Sequence, residues 1–213
     1  LVVDDPVPSV VDHQDITGNY IVRLPTRGPD GRVCFKLALV AVSQDVRDGY
    51  LPYTRANLLR QAFKALGERY AWGGLGIGKD CSAFVKGVYA SCGLTLPRDS
   101  GQQRQVTNAA DVRFDPLDLD YARRAAAIRA LLPGAELFWG GHVLLYVGEH
   151  EGRLFALHDV WDYGDVNRPR KVRIPWLAYE PVDIYQVTLM ELTLQQSCNG
   201  KAFERLVAGK RYE

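Results

Sequence analysis

Apolar positions recur with two different periods along this chain, and the change of period divides it. Up to residue 19, Val, Asp and Pro dominate and the segment reads as extended. Two β-like runs follow, Tyr20 to Leu24 and Val33 to Val42, separated by the turn cluster PTRGPDGR, and SQDVRDG makes a second turn before YLPYT. Short strands with tight turns point to a small barrel or part of one, too short here for a complete domain. The period then becomes helical. In TRANLLRQAFKALGERY the residues Leu58, Leu59, Ala62, Phe63 and Leu66 make one apolar face, with Thr54 as N-cap. A glycine loop leads into a second helix, where Phe84, Val85, Val88, Tyr89 and Cys92 share a face and Gly93 is the stop. Residues 101 to 132 start polar and become helical in DYARRAAAIRALL. Val143 to Val147 is a continuous apolar run, as in a central strand; GEHEG is a hairpin turn, and Leu154 to His158 is the return strand. KVRIPWLAYEPVDIYQVTLMEL predicts one or two more strands, and GKAFERLVAGKRYE a short helix. The order of β-rich start, helices and then antiparallel strands is an α+β pattern rather than alternating βαβ.

Composition adds exclusions. The chain has 213 residues, 47% of them hydrophobic and 24% charged, as in an ordinary soluble globular protein, with a formal net charge of +1. That balance gives no reason to expect a nucleic-acid or membrane-surface partner. No apolar run approaches the roughly 18 residues of a spanning helix. The first residue is Leu1 and no signal peptide is visible, which fits a mature or shortened form. The four cysteines, Cys34, Cys81, Cys92 and Cys198, show no CxxC spacing, against a zinc site and a disulfide-rich scaffold; one or two disulfides stay open.

The chemistry centres on Cys81. It begins the second helix, where the dipole and free backbone N–H groups favour a thiolate, and Asp80 before it is a strong N-cap type. Cys92 lies on the apolar face, where a structural role is the default. A thiolate needs a base, and the histidines are His13, His142, His150 and His158. If the hairpin turns about residue 150, His142 faces His158, and their even separation puts both on one face. His150 is then at the solvated tip. A lone cysteine at a helix start is more often structural than catalytic. The joint placement of Cys81, His142 and His158 brings the catalytic reading level with the structural one.

The motifs YAWGG, DCSAFVKGVYASCGLTLPRDSGQQ, LLPGAELFW, HVLLYVG and ALH together resemble the signature of the NlpC-type bacterial cell-wall cysteine peptidases, over about residues 55 to 165. The resemblance implies a papain-like α+β domain, residues 54–213, with helices packed on an antiparallel sheet. Residues 1–53 resemble the SH3-like β module, here incomplete, that often precedes it. It implies Cys81 as nucleophile, His142 as general base and His158 as orienting residue, in a mechanism without metal or cofactor. Tyr70, with the backbone N–H of Cys81, would polarise the scissile carbonyl, and Asp80, Ser82, Ser100 and Trp72 would shape the substrate pocket. The implied partner is the murein stem peptide, cut between γ-D-glutamate and a diamino acid by a monomer. The implied location is the bacterial envelope, periplasmic or secreted, with cytoplasmic murein recycling as the alternative.

The chain departs from that signature in four places. Ala83 stands where Gly is usual, and Ala135-Glu136 where Asp-Leu is usual; residues 103 to 132 are longer, as if to wall the site; and the hairpin is longer, which loosens the alignment of His158. DVWDYGD, Asp159 to Asp165, reads as hairpin packing, with cleft lining as the alternative. Two rival functions share these residues: a cell-wall amidase or acyltransferase with the same Cys–His layout, and a non-catalytic wall-binding module.

Overall fold

A computed structural model describes residues 10–14, 18–44, 46, 49–74, 78–107, 109–115, 120–169, 179–193 and 202–212, with only the backbone described at 10–14, 161–169 and 179–183. The chain divides into two compact units, Leu1–Leu51 and Pro52–Glu213. The first holds an antiparallel sheet of three strands in the order β1 (Val10–Gln14), β2 (Tyr20–Arg27), β3 (Val33–Val40). Its β2–β3 hairpin closes through Gly28, whose N–H donates to the Arg32 carbonyl at 2.7 Å.

The second unit is a six-stranded sheet with helices on its faces. In chain order its elements are α1 (Arg55–Lys64), α2 (Cys81–Ala90), α3 (Ser100–Gln105), β4 (Ala110–Arg113), α4 (Tyr121–Leu131), β5 (Glu136–Trp139), β6 (His142–His150), β7 (Arg153–Pro169), β8 (Tyr179–Glu191), α5 (Ala202–Arg205) and β9 (Ala208–Arg211). The strand order is β4-β9-β5-β6-β7-β8, and every pairing is antiparallel. This is a mixed fold of helices on an antiparallel sheet.

The helices start and stop where the capping chemistry predicts. Thr54 accepts the Asn57 N–H, and Asp80 accepts the Ala83 N–H. At the end of α2, Gly93 has φ +83°, and the Leu94 N–H returns to the Tyr89 carbonyl. Phe84, Val85, Val88, Tyr89 and Cys92 are all buried, as their period predicts. The first helix is shorter than its pattern: α1 ends at Lys64, Leu66 falls in the following turn, and Leu66 and Phe63 are exposed while Leu58 and Ala62 are buried.

Period two along β6 sends Leu144 and Tyr146 to one face and Val143 and Leu145 to the other. Leu144 and Tyr146 join a core with Ala125, Ile128 and Leu131 of α4 and Phe203 and Leu206 of the C-terminal segment. Helix α2 packs on β6 and β7. None of the described residues of the 103–132 segment lines the cleft above α2. The segment contributes β4 and an α4 whose buried side chains belong to that core. The helix predicted in the C-terminal stretch is the four residues of α5, after which the chain turns into β9, which runs between β4 and β5. Gly209 permits this, because a Cβ there would lie 2.3 Å from Leu131 Cδ1 of α4.

The hairpin register also differs from expectation. The turn is at Glu151-Gly152, and a bulge at Val147 moves the pairing to Tyr146 with Ala156 and Leu145 with Leu157. Carried one residue further, that register sets His158 against Leu144, so His142 and His158 are diagonal neighbours on one face rather than directly opposite.

Candidate active site

The glycine-rich approach to α2 is held by a short bridge. The Ala71 N–H donates to the Lys79 carbonyl at 2.7 Å, and Tyr70 lies beside Lys79. Gly78 makes the close approach feasible, since a Cβ there would be 2.6 Å from both the Arg69 carbonyl and Ala71 Cβ. The chain then delivers Asp80 as cap and Cys81 as the first residue of α2.

Asp80 does more than cap. Arg98 donates to both of its carboxylate oxygens, at 2.9 and 2.7 Å, and Ser82 Oγ donates to Oδ1 at 3.1 Å. The Arg98 hydrogen bond, with the Ala83 N–H, lowers the Asp80 pKa against the opposing effect of burial, so it is an anion at neutral pH. The neighbouring helix is tied to the same point: Gln103 of α3 donates to the Ser82 carbonyl at 3.1 Å and the Pro97 carbonyl at 2.9 Å.

A cleft of about 720 Å³ opens over this helix start. Of the residues singled out in the sequence, it brings together Tyr70, Trp72, Asp80, Cys81, Ser82, Ser100 and His142 on its lining. His158 is wholly buried behind it, and its Nδ1 lies 2.9 Å from His142 Nε2. The Tyr53 hydroxyl donates to the Tyr212 carbonyl. His150 ends β6, and its side chain is 74% exposed. Asp159 and Val160 line the cleft, while the rest of the aromatic stretch to Asp165 lies outside the described side chains, as Cys198 lies outside the described residues. Cys34, Cys81 and Cys92 are free thiols.

The electrostatics correct one expectation. The helix start was expected to draw Cys81 toward its thiolate, but burial outweighs it and pushes the thiol up to about 11, although the Val143 and Ser82 N–H groups favour the anion. Burial, then His158 and then Arg205, hold the proton affinity of His142 well below that of an ordinary imidazole, and burial takes His158 down to about 3. Thiol and imidazole are therefore both neutral at rest.

Three participants were not legible in the sequence. Trp139 stacks on His142 at 4.7 Å between ring centroids and 18° between planes, and Arg205 lies over the Trp139 ring. Asp159 is wholly buried, and neither of its carboxylate oxygens has a hydrogen-bond partner among the described residues. Burial chiefly raises Asp159 to about 7, with Asp80 and Glu68 adding repulsion. Only the aromatic HDVWDY run hinted at any of these, since Trp139 and Arg205 reach the cleft through long-range strand pairing.

A helix start bearing a cysteine, set against strands bearing paired histidines on an antiparallel sheet, is the layout of a papain-like α+β domain. Residues 67–168 match the model of the NlpC/P60 family. The chain is 37% identical over 93 residues to a protein of Listeria innocua named "Probable endopeptidase p60", covering 43% of this chain and 17% of that protein. It is 49% identical over 56 residues, 26% of this chain, to the "Gamma-D-glutamyl-L-lysine dipeptidyl-peptidase" of Bacillus cereus, 17% of whose length is covered. The match thus spans about a sixth of the length of each of these two relatives. An NlpC/P60 endopeptidase structure from Photobacterium damselae subsp. piscicida shares the fold, with a TM-score of 0.61 at 17% identity over 92% of this chain and 46% of that one.

Proposed function

We propose that this protein is a cysteine peptidase of bacterial cell-wall peptides, acting through Cys81, His142 and His158, on the γ-D-glutamyl bond to a diamino acid. The observation that carries the reading is that Cys81 shares one cleft with His142, whose Nε2 is engaged by His158, leaving Nδ1 for the thiol proton. The names of the Listeria and Bacillus relatives support the peptidase class and the bond.

Substrate binding brings the scissile carbonyl to Cys81. The thiol proton passes to His142 Nδ1 as sulfur attacks, because the neutral pair is the resting state. The imidazolium so formed donates from Nε2 to His158 Nδ1, which requires His158 to be neutral, as its burial ensures. The oxyanion is met by backbone N–H groups at the start of α2 and by Tyr70, whose hydroxyl burial keeps protonated. His142 then protonates the leaving amine, and water, deprotonated by the same imidazole, hydrolyses the thioester. Ser82, Ser100 and Trp72 line the substrate's path, while Asp80 and Arg98 hold its rim. The three-stranded sheet of the first unit supports an SH3-like module at residues 1–53, and an envelope location follows from the substrate. Among the described residues no helix is long and apolar enough to cross a membrane.

The test is digestion of purified stem peptides with fragment identification by mass spectrometry. Wild type should release products cut after γ-D-glutamate, and Cys81→Ala none. Cleavage by Cys81→Ala would overturn the mechanism, whereas transfer or amide products at another bond would favour an acyltransferase or amidase.

A further inference from the structure

The indole of Trp139 touches both histidines, stacking on His142 and meeting His158 edge-on at 6.1 Å and 81°. Its ring is also in contact with a cation: Arg205 Cζ is 4.7 Å from the ring centroid. Arg205 is the last residue of α5, in a segment beyond the family match, which stops at residue 168. Sheet pairing puts it there. The Val207 N–H donates to the Phe138 carbonyl at 2.8 Å, and Ala208 pairs with Phe138. Arg205 is two residues before one side of that anchor, and Trp139 is one residue after the other.

We propose that Arg205 is a positioning residue for His142, acting through Trp139. The inference rests on the reading of His142 as the general base. A guanidinium over an aromatic face is attracted by the ring's negative surface, so Arg205 restrains the indole. The restrained indole fixes the plane of the imidazole stacked on it, and so the direction of Nδ1 across the cleft. His158 from β7 and Arg205 from α5 are the groups whose charge acts on His142, and Tyr70, Asp80, Cys81, Arg98 and Asp159 line the same cleft. The fixed positive charge of Arg205 also disfavours protonation of the resting base.

Two variants and two measurements test this. Titration of the His142 imidazole by NMR needs no substrate, and peptide hydrolysis across pH gives kcat and KM separately. In Arg205→Gln the His142 pKa should rise by about half a unit, the acid limb of kcat should move with it, and kcat should fall about tenfold with KM within about twofold. Arg205→Lys keeps the charge but not the planar face, so it should titrate like wild type with an intermediate kcat. An unmoved His142 pKa in Arg205→Gln, or a loss confined to KM, would overturn the proposal. Should Arg205→Gln not fold, an undiminished kcat in Arg205→Lys overturns it instead. If wild type cleaves no stem peptide, the peptidase reading falls, and the NMR titration judges Arg205 by itself.

Discussion

His142 Nε2 and His158 Nδ1 lie 2.9 Å apart although the two residues are diagonal, not facing, across the β6–β7 ladder. The turn at Glu151-Gly152 sets the offset, and the bulge at Val147 trims it from three residues to two. One ring can therefore reach the other along the strand direction while both stay on one face.

The contact makes His158 an acceptor when His142 is protonated. His158→Ala should lower kcat by roughly one to three orders of magnitude, since in the proposed mechanism it removes the group that orients the base. His158→Gln, whose carbonyl can accept the same N–H, should retain more activity than His158→Ala. Equal losses in steady-state kinetics would mean that His158 only fills space.

Burial of His158 also sets a pH dependence. Its folded pKa, about 3, is below the ordinary value of 6.5, so acid favours the unfolded chain, which binds the proton. Stability is complete above pH 6.5 and declines as pH falls from there toward 3. The difference in unfolding free energy between wild type and His158→Gln, by urea titration, should shift against wild type by up to about 1.4 kcal/mol per pH unit across that window.

Asp159 has the opposite sign. Its folded pKa, raised to about 7 from 3.8, means that the unfolded chain gives up the proton more readily. The stability tied to the protonated carboxyl is fully present below pH 3.8 and lost as pH rises through 7. Asp159→Asn should be more stable than wild type at pH 8, and that advantage should shrink toward pH 5, read as melting temperatures at the two values.

Gly78→Ala should damage both fold and activity, because the added Cβ meets backbone at the Arg69 carbonyl as well as Ala71 Cβ. Overpacking of this kind costs about 1–3 kcal/mol. The bridge it disturbs leads directly into Asp80 and Cys81, so kcat should fall even well below the melting temperature. A variant with lowered melting temperature and unchanged kcat would show that the bridge does not position the helix start.

Much of the site could be read from local chemistry. Asp80 is a cap within its own turn, Cys81 follows it, and the continuous apolar run after His142 marks a buried strand. These depend on neighbours in sequence, where capping and periodicity act. The register of the hairpin could not be read so well, because a one-residue bulge at Val147 leaves no mark on the apolar pattern. The strands β4 and β9 are four residues each, too short for a period, and their partners lie far along the chain, as in Ala110 with Arg211 and Glu136 with Lys210. Trp139 meets Arg205 only because of those pairings. Glu136, where the family motif has leucine, is wholly buried and receives the Tyr212 hydroxyl, a contact reaching 76 residues ahead.

The position of β9 inside the sheet has a consequence for the order in which the molecule is made. Cys81, His142 and His158 all leave the ribosome well before residues 208–211, yet β4 and β5 have no strand between them until those residues arrive. A nascent chain thus carries the Cys81 thiol and both imidazoles while the sheet behind them is still open and Arg205 is not yet opposite Trp139. The domain can therefore assemble as a unit only once residues 208–211 have emerged.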